Sequence, residues 1–363
     1  MAENLDMSHK KSKFAAKYIL IVMKKQIFPL FVIAMSVFGM ISCSSKPVQQ
    51  VEVVEAKVVV DTPTVFVTRD INPESLIQIF QALDRPIQGR VAVKISTGEA
   101  GNPNSLSPDL IAPFVRSVGG TLVECCTAYG GKRTTVKDHQ KVIHDHGYDK
   151  VAHVDLMDEE GEYKIPVRDT TWIKYDIVGD HLQKYDFMIN LAHFKGHPMG
   201  GLGGVIKNQS IGVASANGKA YIHTAGYQEV VEGMWGHTDN QDGFLESMAA
   251  AAQAVADVFG DNIVYISVMN NMSVDCDCVA KPEKVKVADY GILASLDPVA
   301  LDQACVDIIF NMEPTKGSDN GPLKERISSR HGTHTIEWAE KIGLGKRFYH
   351  LVSIDKYAVE NAE

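Results

Sequence analysis

Basic charge is in short supply: 36 Lys and Arg face 45 Asp and Glu across 363 residues, a formal charge of −9. A nucleic-acid binder carries a basic patch or stripe. No such Lys/Arg cluster occurs in the body of the chain, so nucleic acid is excluded as a partner. Cysteine is scarce too, with six in all. Setting Cys43 apart leaves Cys125, Cys126, Cys276, Cys278 and Cys305, an odd set that does not describe a disulfide framework. Stability must then come from the core. Nucleotide motifs are missing: Gly218-Lys219 is followed by Ala220, and Gly212 lies one residue too far upstream for a P-loop. No G-x-G-x-x-G follows a strand, so ATP and dinucleotide readings both fail. Repeats and low-complexity tracts are also absent. The remaining material, 45% hydrophobic and 22% charged, suffices for one large α/β unit or for two lobes.

The N-terminal segment reads as a targeting signal. Lys24 and Lys25 precede an apolar run from Ile27 to Ile41, and Ser42 and Cys43 follow. That run of about fifteen residues is short of the roughly 20 that span a bilayer. A positive start, a short apolar stretch and small residues before a cleavage point make a secretory signal. Met1 to Val22 looks like an extension upstream of a natural start at Met23. Met40-Ile41-Ser42-Cys43 resembles the lipobox of bacterial lipoproteins, which implies cleavage before Cys43 and lipidation of its thiol. An ordinary signal anchor is the alternative. Losing residues 1–42 removes six lysines and two acids, moving the charge from −9 to −13. The expectation is an acidic, exported domain in the periplasm or cell envelope, anchored to the membrane through Cys43.

Residues 43–63 are a tether, and 64–363 form the domain. Val65 to Val67 reads as a strand. Asn72-Pro73 supplies an N-cap and an N1 proline for a helix to Leu83. Val91 to Ile95 is the next strand, Asp109 to Val118 a helix opened by Ser107-Pro108, and Thr121 to Cys125 a strand. Lys137 to His146 is a helix, and Tyr185 to Leu191 is a strand so continuously apolar that both its faces should be buried. Glu246 to Phe259 is a helix, Ile263 to Val268 a strand, and Asp297-Pro298 opens a helix to about Phe310. Thr335 to Ile342 and Leu351 to Ile354 close the chain as helix and strand. This alternation predicts an α/β fold: parallel or mostly parallel sheets with helices on both faces, arranged as two lobes with a cleft between them.

Ligands of open α/β sheets bind beyond the carboxyl ends of the strands. The stretch HFKGHPMGGLGGVIKN, His193 to Asn208, follows directly on the strand ending at Leu191. Glycine-rich backbone there lets the chain approach a bound group closely. His193, His197, Lys207 and His223 supply ionisable groups suited to proton transfer, metal ligation or anion binding. Solvated loop residues, or histidines bonded to backbone, are the bland alternative. Cys276 and Cys278, flanked by Asp275 and Asp277, offer two thiols for a soft metal or simply two small buried hydrophobes. Cys125 and Cys126 point to opposite faces if extended.

His193-Phe194-Lys195-Gly196-His197, Gly203-Gly204-Val205-Ile206-Lys207-Asn208, Gly218-Lys219, His223, Asp275-Cys276-Asp277-Cys278 and Ser295-Leu296-Asp297-Pro298-Val299-Ala300-Leu301-Asp302 occur in that order. Together they resemble the family called domain of unknown function 362, from about Val91 to Phe310. Many of its members carry two ferredoxin-type iron–sulfur repeats after the position of His223. Here Thr224 to Phe259 contains no cysteine, so an electron-transfer role is not implied.

A more distant resemblance links Asp186 to His223 with the nickel-pincer segment of lactate racemases. It implies that His197 is an acid–base group, that Lys207 anchors the cofactor and that His223 ligates the metal. Gly130-Gly131-Lys132-Arg133 falls where the racemases have their other acid–base histidine, so Lys132 is the second catalytic candidate. Gly203, Gly204, His193 and Asn208 complete the expected cofactor cradle, and Cys276 and Cys278 join His223 as metal candidates, the metal being nickel, zinc or iron. Two functions stay open. One is a racemase- or isomerase-like enzyme acting on a small anionic substrate. The other is a non-catalytic lipoprotein binding a metal or small ligand in the same cleft.

Overall fold

The computed structural model describes residues 62–355. The signal segment, Cys43 and the tether up to residue 61 lie outside the described residues. The chain opens with β1 (Thr64–Thr68), α1 (Pro73–Ala82), β2 (Val91–Lys94), α2 (Pro108–Ser117), β3 (Thr121–Glu124), α3 (Val136–His146) and β4 (Val154–Leu156). A hairpin of β5 (Glu162–Pro166) and β6 (Tyr175–Gly179) leads to β7 (Phe187–His193). A second, small hairpin pairs β8 (Lys195–His197) with β9 (Gly201–Gly203) and is followed by α4 (Val205–Val213), α5 (Ala216–His223) and α6 (Gln241–Phe259). Then come β10 (Ile263–Met269), β11 (Gly291–Ser295), α7 (Pro298–Asn311), α8 (Gly321–Ser329), α9 (Thr333–Lys341) and β12 (His350–Ser353). No helix among the described residues is long and apolar enough to cross a membrane.

The central sheet has eight strands in the order β12-β1-β11-β10-β7-β2-β3-β4. All pair parallel except β11, which runs against both β1 and β10. The fold is therefore α/β with a mostly parallel sheet. The strands read as they do because both faces are covered. Phe187, Ile189 and Leu191 of β7 enter one core with Val91, Val93, Val264 and Ile266, packed under α1, α2 and α3. Met188 and Ala192 of the same strand enter the other, with Ala92 and Tyr265, under α4, α6, α7 and α9. Side chains alternate across a strand with period two, so a strand buried on both faces must be apolar at nearly every position.

Two lobes were expected; residues 62–355 instead form one unit built on one continuous sheet. Both cores lie against this one sheet, one on each face, so neither belongs to a separate lobe.

Helix starts follow local chemistry. Asn72 Oδ1 accepts from Ser75 N at 2.8 Å, and Asp297 Oδ1 accepts from Val299 N and Ala300 N at 2.9 Å each. Ser107 precedes α2 without making a side-chain cap bond. The glycine-rich stretch differs most from expectation. It is no open loop but the β8–β9 hairpin leading into α4, which starts at Val205. Glycine-rich sequence argues against a helix on propensity, and here a long-range cap outweighs that preference.

Successive strands β2, β3 and β4 step outward in one direction, and the chain then returns to place β7 on the other side of β2. The order reverses between β2 and β7, where α/β sheets open a crevice at their carboxyl ends.

Candidate functional site

Lys94 closes β2, Glu124 closes β3 and His193 closes β7, all at the crevice edge. A cavity of about 240 Å³ lies there, walled by Lys94, Glu124, Arg133, Lys195, His197, Lys207, Asn208, Lys219, His223 and Asp277, with Cys276 and Cys278. Met234 and Trp235 add an apolar wall. Five of the lining residues are Lys or Arg and two are Asp or Glu. A surplus of cations on a largely buried wall favours an anionic ligand.

Three elements deliver the central groups. His197 ends β8, Lys207 lies in the first turn of α4, and His223 ends α5. Asp302 of α7 positions α4 by accepting from Val205 N at 2.8 Å and Ile206 N at 3.0 Å. Gly204 makes this possible: a Cβ there would sit 2.2 Å from Asp302 Oδ1. Gly203 carries no Cβ where Lys195 Cε passes, 3.2 Å from where one would lie. Both glycines border the cavity, but their bareness serves contacts within the chain as well as room for a ligand. Gly196 is constrained in the same way, its ideal Cβ falling 2.2 Å from Val274 O.

The two histidines differ in which ring nitrogen the chain engages. His197 Nδ1 accepts from Met199 N at 3.1 Å and Gly200 N at 2.8 Å. An accepting Nδ1 carries no proton, so the neutral ring holds its proton on Nε2. His223 Nδ1 faces Lys219 O at 2.6 Å and must donate to it, which leaves Nε2 with a free lone pair. His223 also stacks on Phe244, centroids 4.7 Å apart. Burial, then Lys207, His223 and Lys195, hold His197 well below the usual histidine range. Burial, opposed by the Lys219 carbonyl, lowers His223 to about 4. Both rings are neutral at pH 7. His197 then presents an N–H donor through Nε2, and His223 an open lone pair.

The lysines are also unlike one another. Lys94 Nζ donates to Ile95 O, and to Asn208 Oδ1 at 3.2 Å. Lys195 pairs with Asp277 at 2.8 Å, and Lys219 donates to Ala214 O at 2.6 Å. Lys207 Nζ makes no hydrogen bond or ion pair with any described residue. Burial, then the charges of Lys195, Lys219 and Lys94, lower it to about 7.

Several expected site residues take other roles. Lys132 is exposed and off the cavity wall, its backbone N–H donating to Glu99 Oε1 at 2.7 Å. The neighbouring Arg133 turns inward because buried carboxylates await it: Nη1 meets Glu124 at 2.7 Å, and Nη2 meets Tyr129 OH at 2.6 Å. His193 is buried behind the wall, Nδ1 on Asp277 at 2.9 Å and Nε2 on Asn270 O at 2.6 Å, so it orients Asp277 and not a ligand. Asn208 faces the cavity but is tied to Lys94 O at 3.0 Å and Asn190 Oδ1 at 2.7 Å.

Cys276 and Cys278 are joined by a disulfide, with Cα atoms 5.2 Å apart. A disulfide offers no thiolate, so with this bond closed the two sulfurs are not available as the expected metal ligands. Their sulfurs and a ring nitrogen of His197 lie within 4.8 Å of one another, yet His197 has the wrong tautomer. A metal-bound histidine donates through its other nitrogen, whereas His197 Nδ1 faces donors. His223 alone has the matching tautomer. His223 Nε2 and the Lys207 amine lie on the wall of one cavity, where an organic group could meet both.

Lys94 and Glu124 stood in no motif of the sequence, and Arg133, Lys195, Lys219, Asp277 and Asp302 stood in motifs without an expected site role. Lys94 did carry a signal, being a charge inside the otherwise apolar run Val91 to Ile95 of a buried strand.

A family model described as Domain of unknown function (DUF362) matches residues 91–307. No curated protein sequence matches the chain. A crystal structure of a Thermotoga maritima protein aligns at 10% identity with a TM-score of 0.38, over 62% of this chain and 55% of that one. The lactate racemase apoprotein from Thermoanaerobacterium thermosaccharolyticum aligns at 15% identity and a TM-score of 0.32, over 56% of this chain and 50% of that one. The chain thus spans about half the length of each of these structures.

Proposed function

The chain belongs to the domain of unknown function 362 family, and on that premise we propose that it is an isomerase- or racemase-like enzyme of the cell envelope. It moves a proton at the carbon beside the carboxylate of a small anionic substrate. The observation that carries this reading is the convergence of His223 Nε2 with a free lone pair, His197 Nε2 with a proton and the unpaired Lys207 amine on one cation-rich cavity. The substrate carboxylate lies among the cations. His223 takes the proton, and His197 donates a hydrogen bond to the oxygen on which charge develops, as a preorganised neutral donor. A metal-containing cofactor bound beside Lys207 and His223 would supply a further electron-withdrawing centre.

Incubation of the purified domain in D2O with small 2-hydroxy and 2-amino carboxylates should incorporate deuterium at the α-carbon. Loss of a general base costs about 10²–10⁴ in rate, so His223→Gln should lower the exchange rate at least about 100-fold. Carboxylate binding without exchange would instead favour a non-catalytic ligand-binding lipoprotein.

The same proposal includes the lipid anchor. Cys43 ends a lipobox-like run after a short apolar stretch. Cys43→Ser should move the protein out of the membrane fraction or stall its maturation, as read by fractionation and labelling with a fatty-acid probe. Unchanged membrane partition and no label on the wild type would remove the anchor.

A further inference from the structure

We infer that the amine of Lys207 forms an imine with the carbonyl carbon of a small 2-oxo acid bound in this cavity. The inference rests on the proposed reading of the cavity as a site for small carboxylates, and adds to it a covalent step.

The geometry singles out one amine. Lys94, Lys195 and Lys219 each donate to an oxygen of the chain, and Arg133 is tied to Glu124 and Tyr129. These groups are held as fixed cations. Among the described residues, Lys207 Nζ is the one cavity lysine with no hydrogen-bond or ion-pair partner, and it shares the wall with the open Nε2 atoms of His197 and His223. A lysine becomes nucleophilic when it is set beside other cations, and Lys207, half-buried on the cavity wall, stands beside Lys195, Lys219 and Lys94. Burial and the three neighbouring lysines bring Lys207 to about 7, so much of it is the free amine at neutral pH.

The cavity also defines what the amine meets. At about 240 Å³ it is smaller than the roughly 300–1,000 Å³ of sites for drug-sized ligands. Its surplus of cations selects a carboxylate, and an imine requires an aldehyde or ketone carbon. A short 2-oxo acid carries both on adjacent carbons.

The histidines suit the steps. Lys207 Nζ attacks the carbonyl carbon while His197 Nε2–H donates a hydrogen bond to the carbonyl oxygen. His223 Nε2 takes the proton that the nitrogen loses as the carbinolamine forms. Returned to the alkoxide oxygen, that proton completes the carbinolamine; the second N–H proton then follows the same route through His223 to the hydroxyl, which leaves as water as the C=N bond forms. Amine and ketone become imine and water, with no oxidant or reductant needed.

The test uses pyruvate with the purified protein and cyanoborohydride, followed by intact mass and peptide mapping. A reduced pyruvate adduct on the peptide containing Lys207, lost in Lys207→Arg and suppressed by excess lactate, is the expected result. Circular dichroism of the variant confirms that it folds. No adduct, or an adduct on other lysines unaffected by Lys207→Arg, overturns the imine. Purified protein arriving with Lys207 already modified overturns it too, because the amine is then not free. Calorimetry separates the two readings. Lactate or pyruvate binding without an adduct defeats only the imine, whereas failure of both to bind defeats the carboxylate site as well.

Discussion

Asp302→Ala should destabilise the domain by about 3 kcal/mol, because two buried backbone N–H groups lose their acceptor and each such orphan costs about 1–3 kcal/mol. Asp302 is fully buried and accepts from Val205 N at 2.8 Å and Ile206 N at 3.0 Å. Those donors begin α4, where four N–H groups have no partner within the helix. Alanine fills none of that space and brings no acceptor. Water has little access to replace it. Urea denaturation at constant pH checks the size of the effect. Because Lys207 lies one residue beyond Ile206, the same variant should lose trapping of pyruvate at Lys207 even where it remains folded. Asp302→Asn keeps one accepting oxygen and turns an amide N–H toward the other donor, so it should fall between wild type and alanine. A denaturation midpoint for Asp302→Ala equal to that of wild type would show that α4 does not depend on this cap.

The same residue shows where sequence reading stops. The start of α7 is legible from Asp297-Pro298 because the capping bonds run to Val299 and Ala300, two and three positions away. The cap of α4 comes from Asp302, 97 positions from Val205. No local window contains both, and the glycines just before Val205 argue against a helix. Strand β7 is legible because burial on both faces leaves it apolar at nearly every position. Strand β11 is equally buried but only five residues long, and a short apolar run does not declare its direction.

Within the site, the residues of the glycine-rich stretch and of α5 point to the right place, since His197, Lys207 and His223 all line one cavity. Their chemistry is less legible. Whether a histidine donates or accepts at Nε2 depends on what Nδ1 meets, and that is a property of the folded backbone at Met199, Gly200 and Lys219. Lys132 and Arg133 are adjacent in sequence, and only the buried carboxylates of Glu99 and Glu124 decide which one turns in. The odd cysteine count argued against a framework of cross-links, yet Cys276 and Cys278 are joined. A bridge across two positions closes almost no chain, so it removes little entropy from the unfolded state.

Glu124→Gln should cost about 3 kcal/mol at pH 7, at the lower end of the 3–5 kcal/mol lost when one member of a buried ion pair is removed. Glu124 stands at the end of β3 and accepts from Arg133 Nη1 at 2.7 Å, Thr97 Oγ1 at 2.6 Å and Thr97 N at 3.1 Å. His139 Nε2 lies 3.1 Å from the same carboxylate. Burial alone would raise its proton affinity. Arg133 and His139 outweigh that, with a smaller contribution from Lys94, and hold the carboxyl well below its usual value of 4.5. Glutamine preserves the shape but not the charge, leaving Arg133 buried opposite a neutral amide. The unfolded chain therefore binds the proton more readily than the folded one, so the stabilisation is full above about pH 4.5 and is lost as pH falls through the folded value. The gap in unfolding free energy between wild type and Glu124→Gln should accordingly narrow below pH 4.5. Denaturation curves for the two proteins from pH 3 to pH 7 measure it. A gap that stays constant over that range would mean that the carboxylate charge contributes nothing and that Arg133 is held by its other contacts. In the variant the guanidinium also loses its strongest tie beside the cavity. Small carboxylates should then bind with altered affinity while His223 keeps its tautomer, since Lys219 O is untouched by the change.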